Sequence, residues 1–368
     1  MQITHITASV HRPITAGEQE NKATYAGTDG PVFVRCRIDT DEGLTGNGFT
    51  GRFLAAEVAH FLNHSIAEAI IGEDPLNPEL PARTERRFNP RAMTGVVVSA
   101  HSALEIALMD LRAQADGKSI AALLGGKRDR VPVHVTCGLP HLTVDDLQKA
   151  ARRAIDGGGA GVKVVIAAKG RSWQEDAERL LAVREAIGPD ADLIADANCG
   201  FDLTTARNFA HAASGARLTW LEEPLRDNDP RQLAELTGEI DCPVGAGQME
   251  QSEYRFEQLI RQGGVSVIQP NAVFAGGFSK AIDIIRLAER HGREICPAGG
   301  WDFVNLHLMA GALEHGAMEY HEGHESIIRC ISGTVQTPAH GYMSVPPPPG
   351  LGIPIDESSL EAARVYPR

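Results

Sequence analysis

Asp196, Glu222 and Gln248 are separated by two equal steps of 26 residues, and each closes a short apolar run. The runs are Leu193-Ile194-Ala195, Leu218-Thr219-Trp220-Leu221 and Pro243-Val244-Gly245-Ala246. Two carboxylates and an amide oxygen are hard donors of the kind Mg²⁺ takes in a near-octahedral array, completed by water or substrate. Singly, each could be an ordinary salt-bridge partner; the equal spacing is what points to a shared metal site. Lys163 lies 33 residues before Asp196, at the end of an earlier run. A lysine close to a bound cation has its ammonium form disfavoured, which lowers its pKa and lets it act as a general base. The plain alternative is a lysine that snorkels from the mouth of the fold or pairs with an acid. Glu319 could hydrogen-bond a substrate carboxylate if protonated, or be a simple rim acid.

A step of 26 residues accommodates one strand, one helix and two loops of ~2–6 residues. A βα repeat that delivers polar residues at strand ends predicts a parallel β/α barrel, with its active site at the C-terminal ends of the strands. Eight strands are expected near 133–137, 162–166, 192–196, 217–222, 243–247, 265–269, 293–297 and 316–320. Thr143 and Asp202 suit helix N-caps. The run Gly157 to Gly161 precedes a strand instead of following one, so it reads as a helix-to-strand connection and not a phosphate loop. Before the barrel, residues 1–12 and the alternating Val32, Val34, Cys36 and Ile38 predict strands, and Leu54 to Ile71 and Val97 to Ala115 predict helices. The expected division is a cap over 1–126, a barrel over 127–345 and a returning segment over 346–368, with Pro346 to Pro349 as linker.

The chain has 368 residues and a formal charge of −13, with a pI near 5.5 and mean hydropathy −0.17. Such an acidic surface argues against nucleic acid or an anionic membrane as partner. No 18-residue apolar run and no basic-then-apolar leader pattern is found, which gives a cytoplasmic expectation. The six cysteines have no CxxC spacing and read as reduced, mostly buried thiols. Thr15 to Gly30 is a long polar loop of the kind that serves as a lid; Glu18, Lys22 and Tyr25 are its candidate substrate contacts, and Arg52 in the Phe49 to Phe53 segment is another.

The residues then resemble a known family. Ser102-Ala103-Leu104-Glu105 through Asp110, Asp196-Ala197-Asn198, Leu221-Glu222-Glu223-Pro224, Gly247-Gln248-Met249-Glu250, Gln269-Pro270-Asn271 with Gly276-Gly277, and Gly300-Trp301 resemble the enolase superfamily, most closely its mandelate racemase and acid-sugar dehydratase branch. The resemblance implies an α/β fold, a modified TIM barrel with an α+β cap built from both chain ends. It implies removal of the proton α to a carboxylate, Mg²⁺ as cofactor, a small carboxylate substrate and a homo-oligomer. It implies metal ligands at Asp196, Glu222 and Gln248, and substrate contacts at Asn198, Asn271 and Trp301. The sequence departs from the family at Gln248, an amide where a carboxylate is usual, and at Val165, where the usual second-strand base is missing. It departs again at Asn271 and Ala298-Gly299, where the Asp-His dyad is missing. A racemase needs a base on each face of the α-carbon, so the expected reaction is dehydration of a hydroxy acid of the sugar-acid type. Lys163 is the favoured base, with Glu319 and Tyr25 assisting. The alternatives are an epimerase or cycloisomerase through the same enediolate, and a family member that only binds a ligand.

Overall fold

The computed structural model describes residues 1–13, 32–51, 53–88 and 94–367. Its cap is a four-stranded antiparallel sheet in the order β13-β1-β2-β3, where β1 is Ile3–His11, β2 Phe33–Thr40, β3 Thr45–Thr50 and β13 Arg364–Tyr366. The C-terminal strand thus joins the sheet begun by the first residues, and Arg35 fastens the return by a two-pronged contact with Glu357 at 2.7 Å on each prong. The alternation read along this strand is present, with Val34, Cys36 and Ile38 buried and Arg37 and Asp39 partly exposed; Arg35 breaks it, being buried by its contact with Glu357. The helix expected over Leu54 to Ile71 is interrupted: Ala55–Phe61 and Ala67–Ile70 flank a π-helical turn at Leu62–Ile66.

Eight parallel strands form the barrel layer in the order β10-β9-β8-β7-β6-β5-β4-β11. They are β4 (Arg130–Gly138), β5 (Gly161–Val165), β6 (Asp192–Asp196), β7 (Trp220–Glu222), β8 (Val244–Ala246), β9 (Val267–Ile268), β10 (Glu294–Ile295) and β11 (Met318–His321). The circle is completed where Glu319 N–H donates to Pro297 O at 3.2 Å. All eight fall where the apolar runs predict, although β9 and β10 keep only two residues each in the ladder. A short β12 (Tyr342–Ser344) pairs antiparallel with β4. Thr143 and Asp202 cap their helices as expected, accepting from Asp146 N and Thr205 N. No helix among the described residues is long and apolar enough to cross a membrane.

The helix Val96–Ala115 lies between cap and barrel and is buried over almost its whole length. Its small residues let β3 approach closely: a methyl at Gly48 would overlap the Ala103 carbonyl. Its polar residues are connectors. Asp110 accepts from Asn47 N and Leu351 N, both at 2.9 Å, tying the cap sheet to the C-terminal segment. Glu105 accepts from Phe278 N at 2.8 Å, Ser279 N at 3.1 Å and Ser279 Oγ at 2.7 Å. It thereby caps the helix Phe278–Arg290, whose positive end favours a carboxylate by about 1 kcal/mol. The Ser102 to Asp110 motif is therefore the joint that sets the cap over the barrel mouth.

Candidate active site

Strand pleating fixes what faces the barrel interior. β6 and β7 run in register, with Asp196 opposite Glu222, and β5 places Val165 opposite Asp196 and Lys163 one inward-facing layer deeper, opposite Ile194. Gln248 follows β8 after Gly247, whose φ of 118° turns the chain toward the axis. Asp196, Glu222, Gln248, Lys163 and Glu319 are all buried.

Lys163 is the hub of this cluster. Its Nζ lies 2.8 Å from Glu222 Oε1, 2.7 Å from Glu319 Oε1 and 3.7 Å from Asp196 Oδ2. Each acid has a second anchor: Trp220 Nε1 donates to Glu222 Oε2 at 3.2 Å, and Asn198 N donates to Asp196 Oδ1 at 2.9 Å. Glu319 accepts from Thr136 Oγ1 at 2.5 Å and from Gly300 N at 2.8 Å. A fourth buried acid, Glu223, adopts φ 40° and accepts from Gln248 Nε2 at 2.9 Å, Asn228 Nδ2 at 3.1 Å and Gly247 N at 3.3 Å.

Were all four buried carboxylates ionised, the one buried ammonium would leave three negative charges in excess, and uncompensated buried charge is costly. Burial, then the neighbouring Glu222, pushes the Asp196 carboxyl well above the usual range. Burial pushes Glu223 up as well. The site therefore calls for added positive charge. The donors fit a hard cation: two carboxylates, and the Gln248 amide, whose Nε2 is committed to Glu223 and whose Oε1 is left to accept. Among the described residues no three His, Cys, Asp or Glu side chains form a ready metal cage. The set here has an amide as its third member, with Lys163 drawn in among the acids.

Two expectations from the sequence change, and a third, the lowered pKa of Lys163, was tied to a bound cation. Burial pulls the Lys163 ammonium down, but Glu222, Glu319 and Asp196 outweigh it and raise its pKa well above the lysine range; a cation held by Asp196 and Glu222 would take two of those three acids from it. Burial favours a neutral Glu319, but the Lys163 ammonium and the hydrogen bonds from Lys163 and Thr136 outweigh it and hold the carboxyl below its ordinary range. An ionised Glu319 with both oxygens engaged does not offer the protonated carboxyl that was expected. Asn271 is buried away from the cavity and is committed to backbone: Nδ2 donates to Ala298 O at 2.7 Å and Gly300 O at 3.2 Å, and Oδ1 accepts from Val273 N at 3.0 Å. It ties together the loops after β9 and β10 and has no donor left for a ligand.

Above the cluster opens a cavity of about 1320 Å³, lined by Asp196, Asn198, Glu223, Gln248, Trp301 and Glu319 among others. Trp301 lies beneath the cap, with its ring 6.1 Å from Phe33 and 6.3 Å from Phe49. Lys22, Tyr25 and Arg52, with Glu18, lie outside the described residues. Cys199 also lines the cavity, but burial and Glu223 push its thiol well up, so a thiolate there is disfavoured. The places that the resemblance assigns to a second base hold Val165, opposite Asp196, and Ala298-Gly299, with Gly299 at φ 82°. The sequence reading missed His321 and His324, which line the cavity with their rings stacked 4.3 Å apart. The signal for His321 was the period of two along β11, in which Glu319 and His321 share a face; His324, in the turn after the strand, carried none.

Comparison with known proteins agrees with this layout. Residues 146–359 match the model of the enolase C-terminal domain-like family, and residues 12–125 match that of the mandelate racemase/muconate lactonizing enzyme N-terminal domain. An L-talarate/galactarate dehydratase of Salmonella typhimurium is 33% identical over 283 residues, covering 76% of this chain and 70% of that protein. A D-galactarolactone cycloisomerase of Agrobacterium fabrum is 29% identical, covering 80% of this chain and 82% of the other. The crystal structure of an L-talarate dehydratase from Polaromonas sp. JS666, complexed with Mg and L-glucarate, superposes with a TM-score of 0.85 at 28% identity, covering 99% of this chain and 98% of that one.

Proposed function

Because this chain belongs to the mandelate racemase/muconate lactonizing enzyme family of the enolase superfamily, we propose that it is a Mg²⁺-dependent hydro-lyase. In this reading it removes the proton α to a carboxylate and expels the β-hydroxyl of a sugar acid as water, giving a 2-keto acid. The observation that carries this reading is the excess of buried negative charge at the ends of β6, β7 and β11, beneath a cavity of about 1320 Å³. Relatives named as dehydratases of talarate or galactarate, arabinonate, galactonate and rhamnonate supply the substrate class. Val165 and Ala298-Gly299 speak against racemisation, because they leave the two base positions that the resemblance implies without a proton acceptor.

The α-proton beside an ionised carboxylate is very weakly acidic, so the charge that builds up on its removal must meet fixed positive charge. Held by Asp196, Glu222 and the Gln248 amide oxygen, Mg²⁺ would supply that charge and leave Glu319 as the chief counter-ion of Lys163. Lys163 is the proposed proton acceptor: a cation that takes Glu222 and Asp196 for itself would remove two of the three acids that raise its pKa and add a like charge that lowers it, while Glu319, held by Thr136 and Gly300, positions it. Asn198 and Trp301 line the space where the acid would lie, and Trp301 helps exclude water beneath the cap.

Incubation with Mg²⁺ and a panel of sugar acids in deuterated water tests the reading. Dehydration yields a 2-keto acid. α-Deuterium with an inverted centre and no keto acid would replace the proposal with an epimerase, and a lactone rearrangement with a cycloisomerase. Inertness toward the whole panel would leave a ligand-binding protein.

A further inference from the structure

Glu319, as an acceptor of three hydrogen-bonding contacts, leaves the inner wall of the cavity without a donor from β11. The same strand supplies one two residues on. Glu319 and His321 point to the same face, pairing in register with His134 and Thr136 of β4, and His321 lines the cavity. Gly323 N–H donates to His321 Nδ1 at 3.1 Å. An imidazolium would set one N–H against another there, so the ring is neutral with its proton on Nε2. The His324 ring, stacked at 4.3 Å and 14°, fixes the plane of His321 and disfavours charging it. His324 in turn rests on Gly300, where any side chain would overlap its ring. Burial lowers the pKa of His321, with Glu319 opposing and Lys163 assisting. No hydrogen bond ties up Nε2 among the described residues.

We propose that His321 is a substrate-facing hydrogen-bond donor, an imidazole whose Nε2–H meets an oxygen of the bound hydroxy acid in the place that Glu319, with both oxygens already accepting, cannot fill. It rests on the reading of the cavity as a sugar-acid site. No proton is transferred: a neutral imidazole can polarise an oxygen on which charge develops and keep its own proton throughout.

Three measurements test this. First, in the full chain labelled with ¹⁵N-histidine, the resonances that vanish in His321→Gln should show the Nε2–H tautomer at neutral pH. An imidazolium or an Nδ1–H tautomer would overturn the proposal, whether or not the protein turns over any acid. Second, oxalate is a planar dianion resembling an enediolate, and it should bind the Mg²⁺-loaded protein at least ~10-fold more weakly in His321→Ala. His321→Gln, whose amide keeps an N–H, should bind it within about twofold of wild type; equal affinity in all three proteins overturns the proposal. Third, on any sugar acid that is turned over, His321→Ala should lose roughly 100-fold in kcat and His321→Gln only a few-fold, since an amide can donate but cannot act as a base. Equal loss in both would make His321 a base and not a donor. Failure of wild type to bind oxalate with Mg²⁺ would count against the metal reading, and the tautomer result would still stand by itself.

Discussion

Lys163→Met removes the charge at the hub and keeps the stem. Asp196, Glu222 and Glu319 then face one another without the ammonium now 2.7 to 3.7 Å from each. Removing one partner of a buried ion pair costs about 3–5 kcal/mol. With an unfolding entropy of ~2.1 cal/mol/K per residue, that lowers Tm in EDTA by about 4–7 °C for a chain of 368 residues. The sign of the pH dependence follows from the same contacts. Lys163 holds Glu319 below its ordinary pKa, so in wild type Glu319 contributes stability that is present above its unfolded pKa and lost as pH falls through the folded one. Without Lys163 the buried acids titrate above their unfolded values, so the cost is greatest at neutral pH and shrinks as they take up protons. Mg²⁺ should raise the Tm of the variant more than that of wild type, because it replaces the lost charge and meets no ammonium. α-Deuterium exchange should be abolished if Lys163 is the base. Scanning calorimetry at several pH values, in EDTA and in Mg²⁺, reads the stability effects together. A variant as stable as wild type, or one indifferent to both pH and Mg²⁺, would refute the charge argument, and unimpaired exchange would refute the base.

Three further outcomes are expected. Gln248→Glu brings a carboxylate against Glu223, at the position from which an amide now donates at 2.9 Å. It should lower Tm in EDTA and strengthen Mg²⁺ binding; weaker Mg²⁺ binding would take this position out of the ligand set. Gly48→Ala drives a methyl into the Ala103 carbonyl and should cost ~2 kcal/mol or more, seen as a lower urea midpoint at unchanged m-value. A neutral effect would mean that the cap is not seated as described. His307 accepts from Ala121 N at 3.2 Å and donates to Leu351 O at 3.0 Å, and burial pulls it down from 6.5 to about 4. Its folded pKa lies below the unfolded one, so wild type loses stability relative to His307→Gln as pH falls from 6.5 to about 4. The loss is about 3 kcal/mol, and a difference constant across that window would show that His307 does not stay neutral in the fold.

The barrel was legible because equal βα steps leave a repeat in the apolar pattern, and because strand ends are where such a fold presents polar groups. Asp196 and Glu222 came from that repeat alone. The partner of each acid was not legible, since it depends on how strands register across the barrel and on backbone turns after them. Lys163 looked like a base at a strand end, but pleating places it one layer beneath Asp196, where three carboxylates converge on it. The positive φ of Glu223 turns that acid onto Gln248 and Asn228, a contact that no spacing announces. His321 was missed because the last strand was expected to end at 320, one residue short of it, whereas β11 runs to His321. Asn271 looked like a substrate contact by its place at a strand end, and only the loop geometry shows its amide committed to Ala298 and Gly300.

Titration calorimetry with Mg²⁺ on the intact protein, repeated with galactarate present, tests the central claim most directly. The account predicts one Mg²⁺ per chain, lost in Asp196→Asn and in Glu222→Gln and retained in Asn271→Ala with galactarate absent. Binding that survives both carboxylate substitutions, or no uptake of Mg²⁺ under either condition, would contradict it.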